Sequence, residues 1–269
     1  MQALHCRIRR VEDLGQDNHV LHLEGDFEAA LPAQFCMLSL TQGWPVLLPR
    51  PFSYFDLVPG ESATILVKAI GPGTCALAEA GPGAELLFTG PLGRGFPEVA
   101  PGAPEPVCIA GGVGLAPFLL WARHRREQTG QGILLLYGGA TRELLVGREQ
   151  FEAGAPCWHL STDDGSEGFH GNVLELYQDL LAQGELDAQA PVLCCGPDPM
   201  MKAVAAFCAS EGRDCQVSLE TYMACGYGVC NGCSVEVKGE GRFEGRKYVK
   251  TCTEGPVFDA QELCWQVAP

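Results

Sequence analysis

The chain is poor in basic residues. Its 269 residues include 18 Lys or Arg against 33 Asp or Glu, which gives a formal net charge of −15 at pH 7. Nucleic acids attract proteins through basic patches, and anionic membrane surfaces do the same. The charge balance therefore argues against nucleic acid and against a membrane surface as partners.

Long hydrophobic runs are also missing. The most apolar stretch, residues 107–122, is shorter than the about 20 residues that a membrane helix needs, and glycines and a proline interrupt it. Near the start, Arg7, Arg9 and Arg10 occupy the place where a signal peptide would be apolar. We therefore expect a cytoplasmic protein that carries no targeting segment.

Cysteine, in contrast, is plentiful. The chain has 14 cysteines, yet that fraction stays below the roughly 8–10% found in disulfide scaffolds. Most are single residues inside apolar runs, such as Cys36 and Cys108, and this setting favours buried thiols. Four others crowd into one C-terminal segment, where a different role is expected.

Three segments differ in texture and predict a multidomain β plus α/β chain. Residues 1–100 contain short β-type runs separated by Gly and Pro, a pattern typical of an antiparallel barrel or sandwich. Residues 101–217 alternate strands and helices, which predicts a parallel sheet. Residues 218–269 are rich in Gly and Cys and predict a small module organised by a cofactor.

The predicted elements are short and regularly spaced. In the first segment, the candidate strands are residues 6–11, 20–24, 35–40, 52–55, 63–70 and 85–89. In the second segment, the candidate strands are residues 107–110, 133–137, 157–161, 192–195 and 216–219. The candidate helices there are residues 117–128, 173–182 and 199–210, with a further helical stretch near Arg148.

The four C-terminal cysteines have the spacing C-x4-C-x2-C-x18-C, and they are Cys225, Cys230, Cys233 and Cys252. This is the pattern of plant-type [2Fe–2S] sites, in which soft thiolates bind the iron. Glycines within the loop allow sharp bends and let backbone N–H groups approach the sulfurs. A structural zinc also accepts four cysteines, but it usually takes two matched C-x2–4-C pairs. The spacing therefore favours the iron–sulfur cluster.

Three motifs in the first segment follow one another in a specific order. They are R-P-F-S-Y at residues 50–54, G-P-G-T at 71–74 and G-P-L-G-R-G-F at 90–96. Taken alone, the first motif is also compatible with an edge strand that begins at a proline. Together, the three motifs resemble the ferredoxin–NADP reductase superfamily. That resemblance implies a six-stranded antiparallel barrel that holds FAD.

The resemblance assigns flavin contacts to individual residues. Arg50 would pair with the pyrophosphate, because a guanidinium fork matches phosphate oxygens. Ser53 would hydrogen-bond the isoalloxazine, and Tyr54 would offer it an aromatic face. The complete set of expected flavin residues is Arg50, Pro51, Phe52, Ser53, Tyr54, Leu66, Val67, Lys68, Gly73 and Thr74.

Two motifs in the second segment indicate a pyridine-nucleotide site: A-G-G-V-G-L-A-P at residues 110–117 and C-G-P-D-P-M-M at residues 195–201. Each follows a candidate strand and precedes a helix, where glycines let the backbone approach a pyrophosphate. Both are similar to nucleotide motifs of the same superfamily, although Cys195 alone is equally compatible with a plain buried thiol. The expected nucleotide residues are Gly111, Gly112, Gly114, Cys195, Gly196 and Pro197.

An acidic turn follows the third strand of this segment. Asp163 and Asp164 would repel the 2′-phosphate of NADP, so the turn favours NAD. A solvated acidic turn without any role in binding is the alternative interpretation.

The C-terminal motif narrows the resemblance further. Residues 218–233 and 252–259 are very similar to the cluster motif of the dihydroorotate dehydrogenase B electron-transfer subunits. This resemblance implies an FMN-containing dihydroorotate dehydrogenase catalytic subunit as partner, in a heterotetramer of two of each chain, in de novo pyrimidine biosynthesis. It also implies electron transfer between that partner and NAD⁺ through a [2Fe–2S] cluster and FAD, with no catalytic residue of substrate oxidation in this chain.

Two other functions remain open at this point. One is the small subunit of an NAD(P)H–ferredoxin or sulfide-type oxidoreductase, although Cys225 is absent from the cluster of some of those proteins. The other is a zinc-stabilised binding module without redox activity.

Overall fold

The computed structural model describes residues 1–153 and 156–265. The last four residues of the predicted C-terminal module, 266–269, lie outside the described residues. Within the described ranges, none of the helices combines the length and the apolar character needed to cross a membrane.

The first segment forms a curled antiparallel sheet with the strand order β4-β3-β7-β1-β2-β6-β5. Its two edge strands, β4 and β5, are consecutive in the chain. Across the short gap between them, Tyr54 N donates to Gln34 O and Phe55 N donates to Thr64 O. If β4 and β5 count as one interrupted strand, the sheet is the six-stranded barrel that the family resemblance implies. The strands are β1 (Gln2–Gly15), β2 (Asn18–Glu24), β3 (Phe35–Leu40), β4 (Arg50–Ser53), β5 (Asp56–Val58), β6 (Ser62–Lys68) and β7 (Glu85–Leu92).

Side chains along the barrel strands alternate between two environments, as the pleat of a strand requires. In β3, Cys36 and Leu38 point into the barrel core, whereas Phe35 and Met37 belong to a separate outer cluster. The outer face of β3 is therefore available for packing against the rest of the chain.

A short helix, α1 (Pro72–Glu79), occurs where the sequence suggested only a turn. Gly71 is its N-cap, and Pro72 opens it with a φ that suits the first helical turn. The Thr74 hydroxyl accepts hydrogen bonds from Ile70 N and Gly71 N, both at 3.1 Å. The G-P-G-T motif is thus the start of a helix that its own threonine caps.

The second segment is the predicted parallel sheet flanked by helices, and its order is β11-β10-β9-β8-β12-β13-β16. Strands β8 to β13 pair in parallel. The stretch near Arg148 is not a full helix but two 3-10 turns, Arg142–Leu144 and Glu149–Ala153. The strands are β8 (Val107–Gly111), β9 (Leu134–Gly139), β10 (Cys157–Thr162), β11 (Phe169–His170), β12 (Val192–Cys195) and β13 (Cys215–Ser218), and the helices are α2 (Ala116–Thr129), α3 (Val173–Gln183) and α4 (Asp198–Ser210).

The C-terminal segment contains β14 (Ser234–Glu236), β15 (Tyr248–Lys250), α5 (Thr251–Glu254) and β16 (Val257–Asp259). Strands β14 and β15 pair with each other, but β16 adds an antiparallel edge to the nucleotide-type sheet by pairing with β13. Phe258 of β16 is fully buried in the core of that sheet and contacts Phe243. The cysteine-rich segment is therefore joined to the sheet by shared packing.

Candidate functional site

The four cysteines of the C-terminal motif come from one loop and one short helix. Cys225 and Cys230 lie in the irregular chain after β13, Cys233 directly precedes β14, and Cys252 lies in α5. Cys252 N donates to Cys233 Sγ at 3.5 Å, which joins the loop to the helix. Cys233 and Cys252 are buried, whereas Cys230 is exposed.

Two glycines let this loop turn tightly against its neighbours. Gly226 and Gly228 have φ angles of +80° and +91°, a region that side chains disfavour. A Cβ at Gly226 would lie 2.6 Å from the Met37 side chain, and one at Gly228 would lie 2.7 Å from Thr253. Both positions thus require glycine for conformation and for space.

Backbone N–H groups surround the sulfurs of the loop. Burial raises the pKa of the Cys225 thiol, but hydrogen bonds from the N–H groups of Cys230, Tyr227 and Val229 outweigh it and lower the pKa to about 6. Gly232 N donates to Cys230 Sγ at 3.4 Å. Burial and the neighbouring Cys233 raise the pKa of Cys252 to about 12, although the Gly228 N–H donates to its sulfur. Four cysteine sulfurs with N–H donors around them are the donor set that an iron–sulfur cluster needs, so the residues fit this group.

A single metal ion and a two-iron cluster need different arrangements of the four sulfurs. Within the described residues, no group of three or more His, Cys, Asp or Glu side chains surrounds a position for one ion. A tetrahedral zinc would need all four thiolates around such a point. The four ligands of a [2Fe–2S] cluster are instead shared between two irons.

The cysteine loop packs on the outer face of the barrel. Phe35, Met37 and Leu92 of β3 and β7 form one hydrophobic cluster with Cys233 and Cys252. A backbone hydrogen bond reinforces this packing. Arg94 N, just after β7, donates to Gly255 O at 2.6 Å. The two buried sulfurs therefore face the barrel.

The flavin motif of β4 lies beside this contact. Ser53 and Pro51 pair across the strands with Phe35 and Met37, and opposed residues of an antiparallel pair share one face. Ser53 thus lies on the same outer face as the cysteine loop.

The prediction for the Tyr54 ring is wrong. Tyr54 is fully buried in the barrel core, where its ring lies 6.2 Å from that of Phe88. The pleat sends alternate residues inward, so a ring one residue beyond Ser53 cannot share its face. Phe52 also packs against the barrel core but keeps part of its surface exposed, so the strand presents no fully exposed aromatic face here.

Arg50 and the first residues of α1 are further expected flavin residues. The Arg50 guanidinium donates to Leu48 O at 2.9 Å and has no carboxylate partner among the described residues. Gly73 lies beneath the ring of Trp44, where a Cβ would approach to 3.0 Å. The N-terminus of α1, which Thr74 caps, and the Arg50 guanidinium both carry positive charge. Both are therefore candidates for binding phosphate.

The β6 motif reaches the nucleotide-type domain. Leu66 packs in one hydrophobic cluster with Leu115 and Phe118, while Val67 points into the barrel and Lys68 remains partly exposed. Strand β6 contacts the turn Gly112–Leu115. The outer face of the barrel is thus bounded by the cysteine loop on one side and by the glycine-rich turn on the other.

The two nucleotide motifs meet at the carboxyl ends of neighbouring strands. Ala110 of β8 pairs with Cys195 of β12. A Cβ at Gly111 would lie 2.6 Å from the Met200 sulfur, and one at Gly114 would overlap the Cys195 carbonyl. These glycines therefore allow the two loops to touch, and ligands of open α/β sheets bind at this edge.

Within the second motif, the Cys195 thiol itself is buried. It lies in the hydrophobic core, and burial raises its pKa. Gly196 is also buried, and Pro197 is exposed. The side chain of Cys195 thus has the environment of a core thiol, as the alternative interpretation expects, while the backbone after it reaches the ligand-binding edge.

The acidic turn lies at the same edge, and the structure adds an arginine that the sequence did not indicate. Asp163 and Asp164 are exposed, and the Asp164 carboxylate accepts hydrogen bonds from Ser166 N and Ser166 Oγ at 3.0 and 2.6 Å. Arg142 N donates to Ser166 Oγ at 2.8 Å. Arg142 follows β9, the parallel neighbour of β10, so only the strand pairing brings these residues together.

Glu220 is a second residue that sequence reasoning missed. Although it keeps an exposed surface, the protein packed around its carboxylate, together with the Asp198 carboxylate, raises its pKa. Its charge also reaches the neighbouring Cys195 thiol. It lies two residues after the last parallel strand, within the segment 218–233 that resembles the cluster motif, but the motif gave it no role of its own.

Comparison with known proteins agrees with this geometry. Residues 220–264 match the family described as the iron–sulfur cluster binding domain of dihydroorotate dehydrogenase B, and residues 108–206 match the oxidoreductase NAD-binding domain. The dihydroorotate dehydrogenase B (NAD(+)) electron transfer subunit of Caldanaerobacter subterraneus subsp. tengcongensis is 38% identical over 232 residues, which cover 86% of each chain. This chain belongs to that family of electron-transfer subunits.

Other members of the electron-transfer subunit family match over even more of the chain. The subunit of Shouchella clausii is 33% identical over 255 residues, which cover 93% of this chain and 94% of the relative. Among solved structures, a chain of the NADH-dependent reduced ferredoxin–NADP oxidoreductase superposes with a TM-score of 0.82 at 25% identity, covering 96% of this chain and 89% of that one. The ferredoxin reductase of carbazole 1,9a-dioxygenase, at 24% identity and a TM-score of 0.66, shares the fold over 79% of this chain and 66% of its own.

Proposed function

We propose that this chain is an electron-transfer subunit that connects an FMN-containing dihydroorotate dehydrogenase subunit with NAD⁺ in pyrimidine biosynthesis. The observation that carries the proposal is the arrangement around the outer face of the barrel. The glycine-rich nucleotide turn contacts β6, and the cysteine loop packs on β3 and β7. The three motifs therefore stand in the order nucleotide, flavin, cluster, and a flavin held by the barrel residues would lie between the other two sites.

The proposed cofactors are FAD, a [2Fe–2S] cluster and NAD. A flavin can exchange two electrons with NAD(H) and single electrons with an iron–sulfur cluster. The proposed cluster ligands are Cys225, Cys230, Cys233 and Cys252. The proposed flavin residues are Arg50, Pro51, Phe52, Ser53, Leu66, Val67, Lys68, Gly73 and Thr74, and the proposed nucleotide residues are Gly111, Gly112, Gly114, Cys195, Gly196 and Pro197.

The residues of this chain would act by binding and positioning. Ser53 lies on the outer face beside Phe35 and Met37, where its hydroxyl can donate to a ring that rests on that face. Arg50 and the N-terminus of α1 supply positive charge for a pyrophosphate. Val67 takes part through its backbone, since its side chain points into the barrel.

Exposed side chains around the cysteine loop support a docking surface for the partner there. Tyr222 and Val229 are 97% and 74% exposed, and Tyr227 and Tyr248 are also exposed. Clustered exposed apolar and aromatic side chains are typical of protein interfaces. Because Cys230 is exposed while Cys233 and Cys252 face the barrel, the loop would pass electrons from the partner side to the barrel side.

The decisive experiment is co-expression with a dihydroorotate-oxidising subunit followed by affinity purification. We expect a heterotetramer of two of each chain, with flavin and iron–sulfur absorbance and NAD⁺-dependent oxidation of dihydroorotate. A chain that purifies without flavin and iron, or that fails to bind the partner, would contradict the proposal.

A matched pair of variants locates the docking surface. Val229→Asp should prevent co-purification, because it places a charge in the apolar patch, while the cluster and flavin spectra persist. Leu47→Asp is the control, since Leu47 is 94% exposed but lies in the barrel loop between β3 and β4. Equal binding by both variants would move the docking surface elsewhere.

A second function has one observation in its favour. The superposition with the NADH-dependent reduced ferredoxin–NADP oxidoreductase covers 96% of this chain. A role as the small subunit of such an oxidoreductase would be supported if a ferredoxin-reducing partner, rather than a dihydroorotate-oxidising one, co-purified.

The domain limits and the location also belong to this proposal. We assign residues 1–100 to the flavin barrel, 101–217 to the nucleotide domain and 218–269 to the cluster module. The pairing of β16 with β13 means that the last of these units completes the sheet of the second. We place the assembly in the cytoplasm, which fractionation of cells would test.

A further inference from the structure

One lysine of the cluster module is tied to the cysteine loop. Lys250 Nζ donates to Gly228 O at 2.7 Å, and the side chain is half-buried. In the described part of the chain, no carboxylate lies within ion-pairing distance of Lys250. Its neighbours differ, since Arg246 pairs with Glu254 at 3.3 Å and Lys247 lies 3.9 Å from Glu236.

The bond to Gly228 orients a specific peptide unit. The carbonyl of Gly228 and the N–H of Val229 belong to the same planar trans peptide, so they point in opposite directions. The Val229 N–H faces the Cys225 sulfur. Holding the carbonyl toward Lys250 therefore holds the N–H toward Cys225.

The positive charge of Lys250 favours the reduced state of the cluster. Four thiolates with two irons and two sulfides form a dianion in the oxidised state and a trianion after reduction by one electron. An ammonium group beside the loop favours the more negative state, and hydrogen bonds to the sulfurs do the same. Without a carboxylate partner, Lys250 is free to supply this charge to the cluster.

We propose that Lys250 is a positioning residue for the iron–sulfur cluster: it orients the Gly228–Val229 peptide toward Cys225 and raises the reduction potential of the bound cluster. This inference rests on the cluster ligands assigned under the proposed function. It assigns to Lys250 a role that is distinct from binding iron.

The test compares Lys250→Met with Lys247→Met in the full-length chain purified with its cofactors and its partner. Both changes remove one lysine charge from the module, but Lys247 has no contact with the loop. For Lys250→Met we expect cluster reduction to become about tenfold less favourable, which is about 59 mV for a one-electron couple. The EPR spectrum of the reduced cluster should also change, because the hydrogen bond to Cys225 is altered.

For Lys247→Met we expect the equilibrium constant for cluster reduction to change less than threefold and the EPR spectrum to stay unaltered. Lys250→Arg should remain near the wild type, because a guanidinium can still donate to Gly228 O. Equal shifts of the reduction potential in the two methionine variants would overturn the inference, because the cause would then be the overall charge of the module.

The flavin content of each variant distinguishes a folding failure from a specific loss of the positioning role. If Lys250→Met loses iron but keeps flavin, and Lys250→Arg keeps both, the positioning role is supported. If Lys250→Met loses flavin as well, Lys250→Gln is measured instead and judged by the same tenfold criterion. A wild-type chain without iron would contradict the proposed function itself, whereas a wild-type cluster insensitive to Lys250 would overturn only this inference.

Discussion

The cysteine loop and the parallel sheet use the same residue in opposite ways. In the sheet, Cys108 and Cys194 are fully buried, and burial raises their pKa values far above that of a free thiol. In the loop, N–H groups hold the pKa of Cys225 at about 6. Thiol chemistry in this protein is therefore decided by the backbone around each sulfur, because thiolates survive only where donors compensate for lost water.

The largest effect separating the two regions should come from removing a loop cysteine. We expect Cys225→Ser to abolish the iron–sulfur absorbance and EPR signal and the NAD⁺-dependent oxidation of dihydroorotate, because the ligand set is incomplete. Flavin content and NADH oxidation by a two-electron dye should remain. Cys157→Ser, at an exposed cysteine of the nucleotide domain, is the control. A Cys225→Ser chain with a normal cluster would remove Cys225 from the ligand set.

Alkylation of the cluster-free chain should show the next largest difference. At pH 7 a thiol with a pKa of about 6 is mostly thiolate, about a hundredfold more than one at the usual value of 9.0. We expect Cys225 to be labelled by iodoacetamide well before Cys108, with a rate that falls as the pH drops below about 6. Mass spectrometry of the labelled peptides measures this.

In denaturant, Cys225 and Cys108 should be labelled at similar rates, because unfolding removes both the N–H donors around Cys225 and the burial of Cys108. Persistent selectivity there would show that the folded backbone is not its source.

Serine substitution should lower the free energy of unfolding more at a cysteine of the sheet than at a cysteine of the loop. Cys194→Ser buries a hydroxyl among apolar side chains and should cost about 1–3 kcal/mol in the free energy of unfolding, with the cluster retained. Cys230→Ser, at an exposed position, should leave the stability of the cluster-free chain within about 0.5 kcal/mol. Urea unfolding of the two cluster-free variants gives both values. A larger loss for Cys230→Ser would mean that the loop is part of the folded core without its cluster.

The smallest expected effect concerns charge at the carboxyl edge of the sheet. Combining Asp163→Arg with Asp164→Ser should raise the ratio of kcat/KM for NADPH to that for NADH several-fold, because it replaces repulsion of a 2′-phosphate with attraction. Glu185→Arg changes the charge in the same direction at an exposed site of the same domain and is the control. An unchanged ratio would leave the turn as a solvated surface.

The regular elements were predictable because their patterns are local. The candidate strand 35–40 is β3 as observed, and candidate helix 199–210 differs from α4 by one residue. In both, the periodicity of apolar residues is decided by neighbours in the chain. Helix α1 was missed because Gly71 and Gly73 resemble a turn, and its stability comes from the Thr74 cap and the packing of Trp44.

Side-chain direction was less predictable than position in the chain. The flavin motif identified β4, yet Tyr54 and Ser53 lie on opposite faces of the barrel, and only the pairing with β3 shows which face is outside. Arg142 had no sequence signal, and Glu220 lay inside the cluster motif without a role of its own. They reach the ligand-binding edge because parallel strands distant in sequence end together there.

The sequence by itself determined the ligand type of the cluster site, since the spacing of four cysteines is a local property of one segment. Tertiary structure alone decided how that site is connected. The contact of Cys233 and Cys252 with Phe35 and Met37, and the bond from Lys250 to Gly228, join residues far apart in the chain. Such contacts depend on how whole elements pack, and a spacing pattern carries no information about them.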